Sequence, residues 1–313
     1  MVNAAASTPR LVALDWGSTR LRAWLLGDRG AVLAERQNGS GASTLAGGAV
    51  AFEQALAALA GDWLAAEVPV LACGMAGSAH GWREAPYVDC PARLAALHEH
   101  VVAVPVGART AHIVPGMIDD TDDAGPDVMR GEETQVLGLL RAHPALAARA
   151  CVVLPGTHSK WVQLRDGAVT GLRTRMTGEA YALLRRQSVL ARLMAADDAA
   201  SDAQAFAQGV TAARDAGGGD LLAQLFQART RGLTRHLAPA ALPDFLSGLL
   251  IGHELAAGLR AVDAPLAVVG EPALCRRYVH ALEIFGAAPA AVVANTACAG
   301  LWQLAVQAGW VGE

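Results

Sequence analysis

The 313-residue chain is poor in charge and in aromatic side chains, and only one of its basic residues, Lys160, is a lysine. Charged residues make up 17% of the chain and hydrophobic residues 53%, with a formal net charge of −4. So much apolar sequence excludes a largely disordered chain, and the net negative charge argues against electrostatic binding to nucleic acid or to an anionic membrane. We therefore expect a globular protein without a nucleic-acid partner.

Long apolar runs and regularly spaced cysteines are also missing. A membrane-spanning helix needs about 20 apolar residues, and the nearest candidate, Phe245–Leu259, is interrupted by Ser247, His253 and Glu254. No basic residue precedes Arg10, so we expect no signal peptide. The five cysteines form no metal-binding or CxxC spacing, which is typical of reduced thiols. These absences predict a cytoplasmic protein with no membrane partner, and they leave a homodimer open.

The length suits two domains, which we place at residues 1–118 and 119–313. Each half of the chain contains a set of three closely spaced strands joined by polar turns. The strands are Leu11–Leu14, Leu21–Leu26 and Ala31–Glu35 in the first half, and Cys151–Leu154, Lys160–Leu164 and Ala168–Arg175 in the second. The chain therefore contains an internal repeat.

Helices and strands alternate after each set of three strands, which predicts α/β domains with helices on the faces of a sheet. Stretches Asp197–Asp202 and Gly217–Gly219 are predicted surface loops. Predicted helices are Ala49–Ala66, Pro91–His100, Glu179–Met194, Leu221–Leu237, Phe245–Leu259, Ala273–Phe285 and Thr296–Ala308. Further predicted strands are Val68–Cys73, His112–Val114, Leu266–Val269 and Ala291–Val293.

Glycine and hydroxyl residues connect the first two strands of each half. We call Asp15–Thr19 the first turn and Pro155–Lys160 the second turn. Glycines let backbone N–H groups approach a phosphate closely, and Ser and Thr add hydrogen-bond donors. Such turns are also common without any function, but two at equivalent places favour a phosphate-binding pair, with donors on opposite sides of a cleft.

Charged residues in the two turns agree with that interpretation. Asp15 ends the first strand, where a carboxylate can hold Mg²⁺ through its waters, although it could also be a turn-capping residue. Lys160 supplies a compact positive charge at the second turn. The sequence thus predicts a site for a phosphate chain and a magnesium ion.

Several runs together make the chain resemble the 2-dehydro-3-deoxygalactonokinase family of the actin, sugar kinase and heat-shock chaperone superfamily. The two turns are similar to the phosphate motifs of that superfamily, and Val268–Pro272 is similar to the strand and turn that meet the adenosine. The most specific runs are Gly74–Ser78, Asp127–Gln135, Leu154–Trp161 and Thr174–Glu179. The second turn departs from the usual form, because Pro155 stands where many members carry an aspartate.

The resemblance implies two actin-like (ribonuclease H-like) domains, each a mixed sheet flanked by helices, with an ATP and substrate cleft between them. It implies transfer of the ATP γ-phosphate, with Mg²⁺, to the 6-hydroxyl of 2-dehydro-3-deoxy-D-galactonate in galactonate breakdown. The expected nucleotide-binding residues are Gly17, Ser18, Thr19, Gly156, Thr157, His158, Ser159, Lys160, Gly270 and Glu271.

Phosphoryl transfer also needs a carboxylate to take the hydroxyl proton. Glu132 and Glu133 are the best candidates, since they open a predicted helix after Gly131, although acidic residues there can equally serve as helix caps. Asp89 is a second choice, and Asp15 completes the predicted catalytic set as metal ligand. Because the acceptor is an anion with several hydroxyls, its candidate ligands are arginines and hydroxyl-binding residues. They are Arg83, Arg130 and Arg175, with Ser78, Trp82, Thr177 and Glu179.

Two other classes of function fit parts of this pattern. A phosphohydrolase of the same superfamily would use the same turns and glutamates with water as acceptor. A sugar-sensing regulator would add a DNA-binding segment, for which we expect no room before the first strand. A kinase acting on another sugar or sugar acid also stays open, because the residues indicate only a small hydroxylated acceptor.

Overall fold

The computed structural model describes residues 8–121, 125–195 and 201–312. The chain divides into two compact units, unit 1 (Met1–Arg149, Val162–Arg173 and Asn295–Glu313) and unit 2 (Ala150–Trp161 and Thr174–Ala294). Unit 1 thus includes residues after 119 that the sequence assigned to the second domain, and the predicted boundary at 118/119 stays a prediction. Four residues of the predicted loop Asp197–Asp202 lie outside the described residues.

The first three strands form the predicted antiparallel meander, with neighbours added in parallel. In the first six-stranded sheet the order is β3-β2-β1-β4-β8-β7. Strand β4 runs parallel to β1, and β8 runs parallel to β4. The strands of this sheet and of the others, in chain order, are β1 (Leu11–Trp16), β2 (Leu21–Leu26), β3 (Val32–Asn38), β4 (Val70–Gly74), β5 (Val88–Asp89), β6 (Ala92–Arg93), β7 (Val102–Val106), β8 (Arg109–Ile113), β9 (Met117–Asp119), β10 (Asp127–Met129), β11 (Arg149–Leu154), β12 (Ser159–Arg165), β13 (Ala168–Arg175), β14 (Leu266–Val269) and β15 (Ala291–Val293).

A second six-stranded sheet repeats the arrangement of the first. Its order is β15-β14-β11-β12-β13-β6, and β14 and β15 are again added in parallel next to the opening strand of the set. Read from the third strand of each set, β3-β2-β1-β4-β8 corresponds to β13-β12-β11-β14-β15. The internal repeat expected from the sequence is therefore present in the strand order.

Eight α-helices lie within the described residues: α1 (Ala49–Ala60), α2 (Glu132–Ala142), α3 (Thr177–Gln187), α4 (Ala203–Asp215), α5 (Leu221–Leu233), α6 (Leu242–Gly258), α7 (Pro272–Ile284) and α8 (Ala297–Gln307). One predicted helix was wrong. Pro91–His100 contains β6 followed by a 3₁₀ helix, Leu94–His100. Its first residues instead pair with β13, at Ala168 and Val169, so sheet pairing overrides the local preference for a helix.

Apolar side chains form separate cores in the two units. In unit 1, Trp16 and Phe52 are among the largest buried side chains and pack with Trp82. In unit 2, α6 lies almost wholly buried against α4 and α7. The mixed sheets flanked by helices confirm the predicted fold class. Within the described ranges, no helix is long and apolar enough to cross a membrane.

Candidate active site

The first turn is held at the end of β1 by backbone hydrogen bonds. The Gly17 N–H donates to the Arg20 carbonyl at 2.9 Å, which closes the turn. A second segment supports it from behind, because the Ser43 N–H and hydroxyl both donate to the Ser18 carbonyl, at 2.9 and 2.6 Å. Ser18 and Thr19 remain exposed. The turn is therefore fixed through its backbone, while its hydroxyls face solvent.

Close packing behind the first turn requires Gly41. A Cβ at that position would lie 2.2 Å from the Thr19 carbonyl carbon and 2.3 Å from the Ser18 oxygen. Any larger residue would push against the turn's backbone, which has little freedom to move.

Three backbone segments meet beside the first turn in unit 1. Gly74 ends β4 with φ of 82°, and a Cβ there would lie 2.7 Å from the Trp16 carbonyl oxygen. Gly131, with φ of 103°, precedes α2, and its Cβ would lie 3.1 Å from the Cα of Gly74. Both glycines adopt conformations that other residues avoid. The carboxyl ends of β1 and β4 and the N-terminus of α2 consequently converge.

Two glutamates occupy the start of α2 in different surroundings. Glu133 is fully buried, with one carboxylate oxygen accepting from the Gly131 N–H at 2.7 Å and the other from the Thr134 hydroxyl at 2.9 Å. Glu132 is partly exposed and accepts from the Arg130 N–H at 2.9 Å. Burial, and secondarily the charge of Glu132, raise the pKa of Glu133 to about 7. Both side chains cap backbone groups, and Glu132 alone of the two keeps exposed surface.

Helix α8 fixes the start of α2 through a close helix crossing. A Cβ on Gly300 would lie 1.9 Å from the Thr134 carbonyl oxygen, and one on Gly138 would lie 2.1 Å from the Thr296 carbonyl oxygen. The Thr296 hydroxyl donates to the Gln135 carbonyl at 2.5 Å. The glycines let the two backbones touch, which positions the residue before Thr296, Asn295, beside the first turn.

Asp15 lies between Asn295 and Arg22. The Asn295 amide donates to its carboxylate at 3.4 Å, and an Arg22 nitrogen lies 3.9 Å away. Burial raises the pKa of Asp15, and these two neighbours only partly offset the rise. The carboxyl groups of Asp15 and Glu133 both lie close enough to the Cys73 thiol to raise its pKa further, beyond the effect of its own burial.

The side chains around Asp15 can be compared with those that a magnesium ion needs. No group of three or more potential metal-binding side chains occurs among the described residues. A single incompletely compensated carboxylate nevertheless fits Mg²⁺, which keeps several waters and is completed by substrate phosphates. The residues present therefore suit an ion that arrives with a nucleotide.

Residues predicted to bind the acceptor in unit 1 differ in accessibility. Arg83 is exposed, and Ser78 is partly exposed with its hydroxyl donating to the Met75 carbonyl at 2.9 Å. Trp82 is 3% exposed and packs edge-on against Trp16. Its ring nitrogen is buried without a partner in the described part of the chain.

Arg130 packs against a neighbouring segment, whereas Asp89 is exposed. The Arg130 guanidinium stacks over the Tyr87 ring at 4.3 Å and donates to the Ala85 carbonyl at 2.7 Å. It thereby ties residues 85–87 to the end of β10. Asp89 lies in the three-stranded sheet β10-β9-β5.

The second turn in unit 2 has exposed and buried members. Thr157 and His158 are exposed, whereas Ser159 is fully buried and Lys160 is 6% exposed. The Ser159 hydroxyl lies 2.9 Å from the Tyr278 hydroxyl, and the Lys160 ammonium lies 3.5 Å from the His158 carbonyl oxygen. Only part of the predicted donor set thus faces outward.

The start of α3 packs directly against the second turn. The Glu179 N–H donates to the Thr157 carbonyl at 2.9 Å, and the Glu179 carboxylate lies 2.5 Å from a His158 ring nitrogen. A Cβ on Gly178 would lie 2.3 Å from the Gly156 carbonyl oxygen. Of the residues predicted to bind the acceptor, Glu179 therefore contacts the second turn, and the Thr177 hydroxyl donates to the buried carboxylate of Glu254.

Arg175 and the predicted adenosine segment lie nearby in unit 2. The Arg175 guanidinium stacks 5.3 Å from the centre of the Trp161 ring. Glu271 caps α7, its carboxylate accepting from the N–H groups of Ala273 and Leu274 at 2.9 and 3.1 Å. A Cβ on Gly270 would lie 3.3 Å from the carbonyl oxygen of Pro155, which opens the second turn.

A cavity of about 160 Å³ opens beside the second turn. Its lining is mainly apolar, with a few polar groups, and it includes Gly156, Gly178, Tyr181, Leu274 and Tyr278. Such a combination is typical of a pocket for a small organic molecule.

Sequence reasoning missed Asn295 and Tyr278, and it read Glu254 only as an interruption of an apolar run. Asn295 stands two residues before α8 and its side-chain oxygen accepts from the Ala297 N–H at 2.8 Å, a pattern that the sequence could have indicated as a helix cap. No local pattern indicates the roles of Glu254 and Tyr278, because their partners are distant in the chain.

Comparisons with known proteins agree over nearly the whole chain. A family model described as 2-keto-3-deoxy-galactonokinase matches residues 15–304. A Rhizobium meliloti (strain 1021) protein named "Probable 2-dehydro-3-deoxygalactonokinase" is 40% identical over 306 residues, which cover 95% of this chain and 97% of the relative. The 2-dehydro-3-deoxygalactonokinase of Escherichia coli (strain K12) is 37% identical over 293 residues, covering 93% and 95%.

A solved structure gives the same result. The crystal structure of a protein described as a 2-dehydro-3-deoxygalactonokinase from Sinorhizobium meliloti is 38% identical to this chain, with a TM-score of 0.81. The match covers 95% of this chain and 98% of that one.

Proposed function

The chain belongs to the 2-keto-3-deoxy-galactonokinase family, and we propose that it transfers the γ-phosphate of ATP to the 6-hydroxyl of 2-dehydro-3-deoxy-D-galactonate. In this reaction a bond forms between the acceptor oxygen and phosphorus, the bond to the β-phosphate oxygen breaks, and ADP leaves. The hydroxyl proton must pass to a base.

The observation that carries the proposal is the convergence in unit 1 of the first turn, Gly74 and the glutamate-bearing start of α2. It brings phosphate-type donors (Ser18 and Thr19) and three carboxyl groups (Asp15, Glu132 and Glu133) to one end of a sheet. Phosphoryl transfer needs little more than correct positions and charge compensation, which such a set can supply.

Glu132 is the proposed base. Glu133 has no exposed surface, and both of its oxygens already accept hydrogen bonds, so it cannot reach an acceptor hydroxyl without displacing the helix start. Glu132 keeps part of its side chain exposed at the same helix N-terminus. Glu133 then acts on Glu132 by holding the start of α2 in place.

Asp15 is the proposed magnesium ligand, with Asn295 holding its carboxylate in place. When bound, Mg²⁺ would offset the charge of the phosphates. The residues of the chain itself orient the nucleotide: Gly17, Ser18 and Thr19 from the first turn, and Gly156, Thr157, His158 and Lys160 from the second.

The cavity beside Gly156 is the proposed nucleoside pocket. Its apolar lining suits a base, and its position next to the second turn puts the attached phosphates within reach of that turn's N–H groups. Gly270 and Glu271 are proposed to shape the neighbouring backbone, since Glu271 is committed to capping α7.

For the acceptor, Arg83 and Ser78 are the proposed ligands in unit 1, because both keep exposed surface. Arg175 is proposed for the acceptor's carboxylate, with its guanidinium held on the Trp161 ring. Trp82, Arg130, Thr177 and Glu179 instead support neighbouring segments through the contacts described above.

A coupled assay tests the proposal directly. With ATP and Mg²⁺, ADP should form rapidly only when 2-dehydro-3-deoxy-D-galactonate is added, and phosphorus NMR should show a 6-phosphate monoester. Rapid ADP formation without any acceptor would instead identify a phosphohydrolase. Preference for the 2-dehydro-3-deoxy-D-gluconate epimer would change the acceptor while leaving the phosphate-transferring groups as assigned.

A further inference from the structure

A buried glutamate, Glu254, lies in the middle of α6 beneath the second turn. It is 4% exposed on a helix whose other buried residues are nearly all apolar. Three side chains donate to its carboxylate: the Trp161 indole N–H at 2.8 Å, the Tyr278 hydroxyl at 2.7 Å and the Thr177 hydroxyl. A buried carboxylate is costly unless its oxygens are well bonded, and these three donors meet that requirement.

Tyr278 extends the network to the second turn. Its hydroxyl carries one proton, and that proton is donated to Glu254. The Ser159 hydroxyl, 2.9 Å away, must therefore be the donor in its own contact with Tyr278. Since Ser159 is fully buried, its single hydroxyl proton points inward and is not available to a phosphate.

Thr177 extends the same network to the start of α3. The next two residues contact the second turn, because Gly178 packs on the Gly156 carbonyl and the Glu179 N–H donates to the Thr157 carbonyl. Glu254 is thus linked to the second turn in two ways. Through Tyr278 it is linked to Ser159 within the turn, and through Thr177 to the start of α3, which packs against the turn.

Trp161 completes the arrangement at the residue that follows the turn. A Cβ on Gly258 of α6 would lie 2.4–2.6 Å from three atoms of its ring, so the helix and the indole are in direct contact. The donor N–H of that ring is directed to Glu254. The Glu254 carboxylate therefore holds Trp161 after the turn and Thr177 at the start of α3 directly, and it holds Ser159 within the turn through Tyr278.

We propose that Glu254 is a positioning residue for ATP, which holds the second turn in the conformation that binds the nucleotide phosphates. This inference rests on the proposed phosphate-binding role of that turn. It adds a group that touches neither nucleotide nor acceptor and acts through Ser159, Tyr278, Thr177 and Trp161.

The test uses Glu254→Gln, Glu254→Ala and Tyr278→Phe in the full chain. Glutamine keeps the volume but replaces one acceptor oxygen by a donor, so it cannot serve all three partners. We expect Glu254→Gln to raise the KM for ATP, and the Kd for ADP measured by calorimetry, by about tenfold, since tenfold corresponds to the loss of one buried charged hydrogen bond. The KM for the acceptor should rise less than the KM for ATP, because Glu254 reaches the proposed acceptor ligand Arg175 only through the Trp161 ring. Tyr278→Phe should raise the KM for ATP by about threefold.

A buried carboxylate of unit 1 supplies the matched control. Asp119 is 2% exposed and accepts from the Leu172 N–H at 3.0 Å and the Thr121 hydroxyl at 2.6 Å. Asp119→Asn should lower the melting temperature, as the Glu254 variants do, without changing the Kd for ADP. A general loss of stability is thereby separated from a loss of nucleotide binding.

The results divide clearly. An unchanged ADP affinity in folded Glu254→Gln and Tyr278→Phe would overturn the proposal, as would an effect confined to the KM for the acceptor. If Glu254→Ala fails to fold, the two volume-preserving variants still decide. The calorimetric arm needs no acceptor, so it tests Glu254 even if the wild-type enzyme shows no transfer to the sugar acid, which is the result that would refute the proposed function.

Discussion

The two glycine turns occupy corresponding places in two sheets of the same strand order, yet they are built differently. The first turn contains Asp15, lies next to the carboxyl groups of Glu132 and Glu133, and is held by hydrogen bonds between backbone segments. The second turn has Pro155 in place of an acidic residue and is held from below by side chains, through Ser159. The two sheets therefore share a strand order, while the groups that support their turns differ.

This difference suggests a division of labour. The carboxylates of and beside the first turn are suited to bind a metal and to accept a proton, so we expect the groups whose charge changes during the reaction to lie there. Beside the second turn, a rigid network and a buried lysine suit binding of a phosphate chain whose position must not change. Variants on the first side should affect turnover, and variants on the second side should affect nucleotide affinity.

The largest effect is expected at Glu132. Glu132→Gln removes the proposed base while keeping its volume, and kcat should fall by about 10²–10⁴-fold, the usual contribution of general base catalysis. Glu133→Gln should reduce kcat by only about tenfold, because Glu133 acts through its neighbour. Steady-state kinetics with saturating ATP and acceptor measure both.

Exposed Glu84 provides the control for these variants. Glu84→Gln should leave kcat unchanged. A larger loss in Glu133→Gln than in Glu132→Gln would exchange the roles of the two glutamates, and full activity in both would remove the pair from the mechanism.

Asp15 should give the next largest effect. Asp15→Asn keeps the contact with Asn295 but loses the negative charge, and kcat should fall by about 10²–10³-fold, comparable with the loss of one strong electrostatic contact at a reaction centre. The Mg²⁺ concentration that gives half-maximal rate should rise as well. Asp28→Asn, in the exposed ion pair with Arg10, is the matched control and should behave as wild type. A variant with normal Mg²⁺ dependence would argue against the metal role.

How far the sequence predicts these features depends on the range of the interactions. The strands and the two turns follow from local apolar patterns and turn residues, so β2 and β14 have the predicted bounds. Strand β6 was instead predicted as the start of a helix, because the residues with which it pairs are far along the chain. Ser159 was expected to face a phosphate for a similar reason, since its partner Tyr278 is 119 residues away.

Site residues follow the same rule. Asp15, Ser18 and Glu132 could be proposed from short motifs, since strand ends and helix starts place side chains predictably. Asn295 reaches Asp15 only because glycines allow α2 and α8 to touch, and no motif records that contact. Glu254 is one of two buried carboxylates in α6, with Asp244, and only its three donors, which are distant in the chain, indicate its role.

Each turn packs against one glycine, so the same substitution can be made beside both turns and its effects compared. Gly41→Ala and Gly178→Ala would each bring a methyl group within about 2.3 Å of turn backbone, so the turn must move in both cases. Gly178→Ala should raise the KM for ATP by about tenfold with little change in kcat, whereas Gly41→Ala should lower kcat as well, because it displaces the turn next to Asp15.

Gly39, where an added Cβ would meet nothing within 4 Å, supplies the control for the pair. Gly39→Ala should leave both kinetic constants near those of wild type. Equal effects of Gly41→Ala and Gly178→Ala on kcat and on the KM for ATP would show that the turns do not divide their roles.

The last effect concerns stability instead of kinetics, and it tests whether burial of the Glu133 carboxyl group lowers the free energy of unfolding. The pKa of Glu133 is about 7 in the folded chain against an ordinary value of 4.5. Between these values the unfolded chain has released the proton and the folded chain still holds it, so stability falls as pH rises from about 4.5 to 7. The loss amounts to about 3 kcal/mol at most and stays constant above that range. Glu133→Gln cannot ionise and should escape it, so its free energy of unfolding, relative to wild type, should increase between pH 5 and pH 8 in urea titrations. Glu84→Gln should show no such trend. If the difference in the free energy of unfolding between Glu133→Gln and wild type does not change with pH, Glu133 is ionised in the folded chain over this range, and its burial does not lower stability.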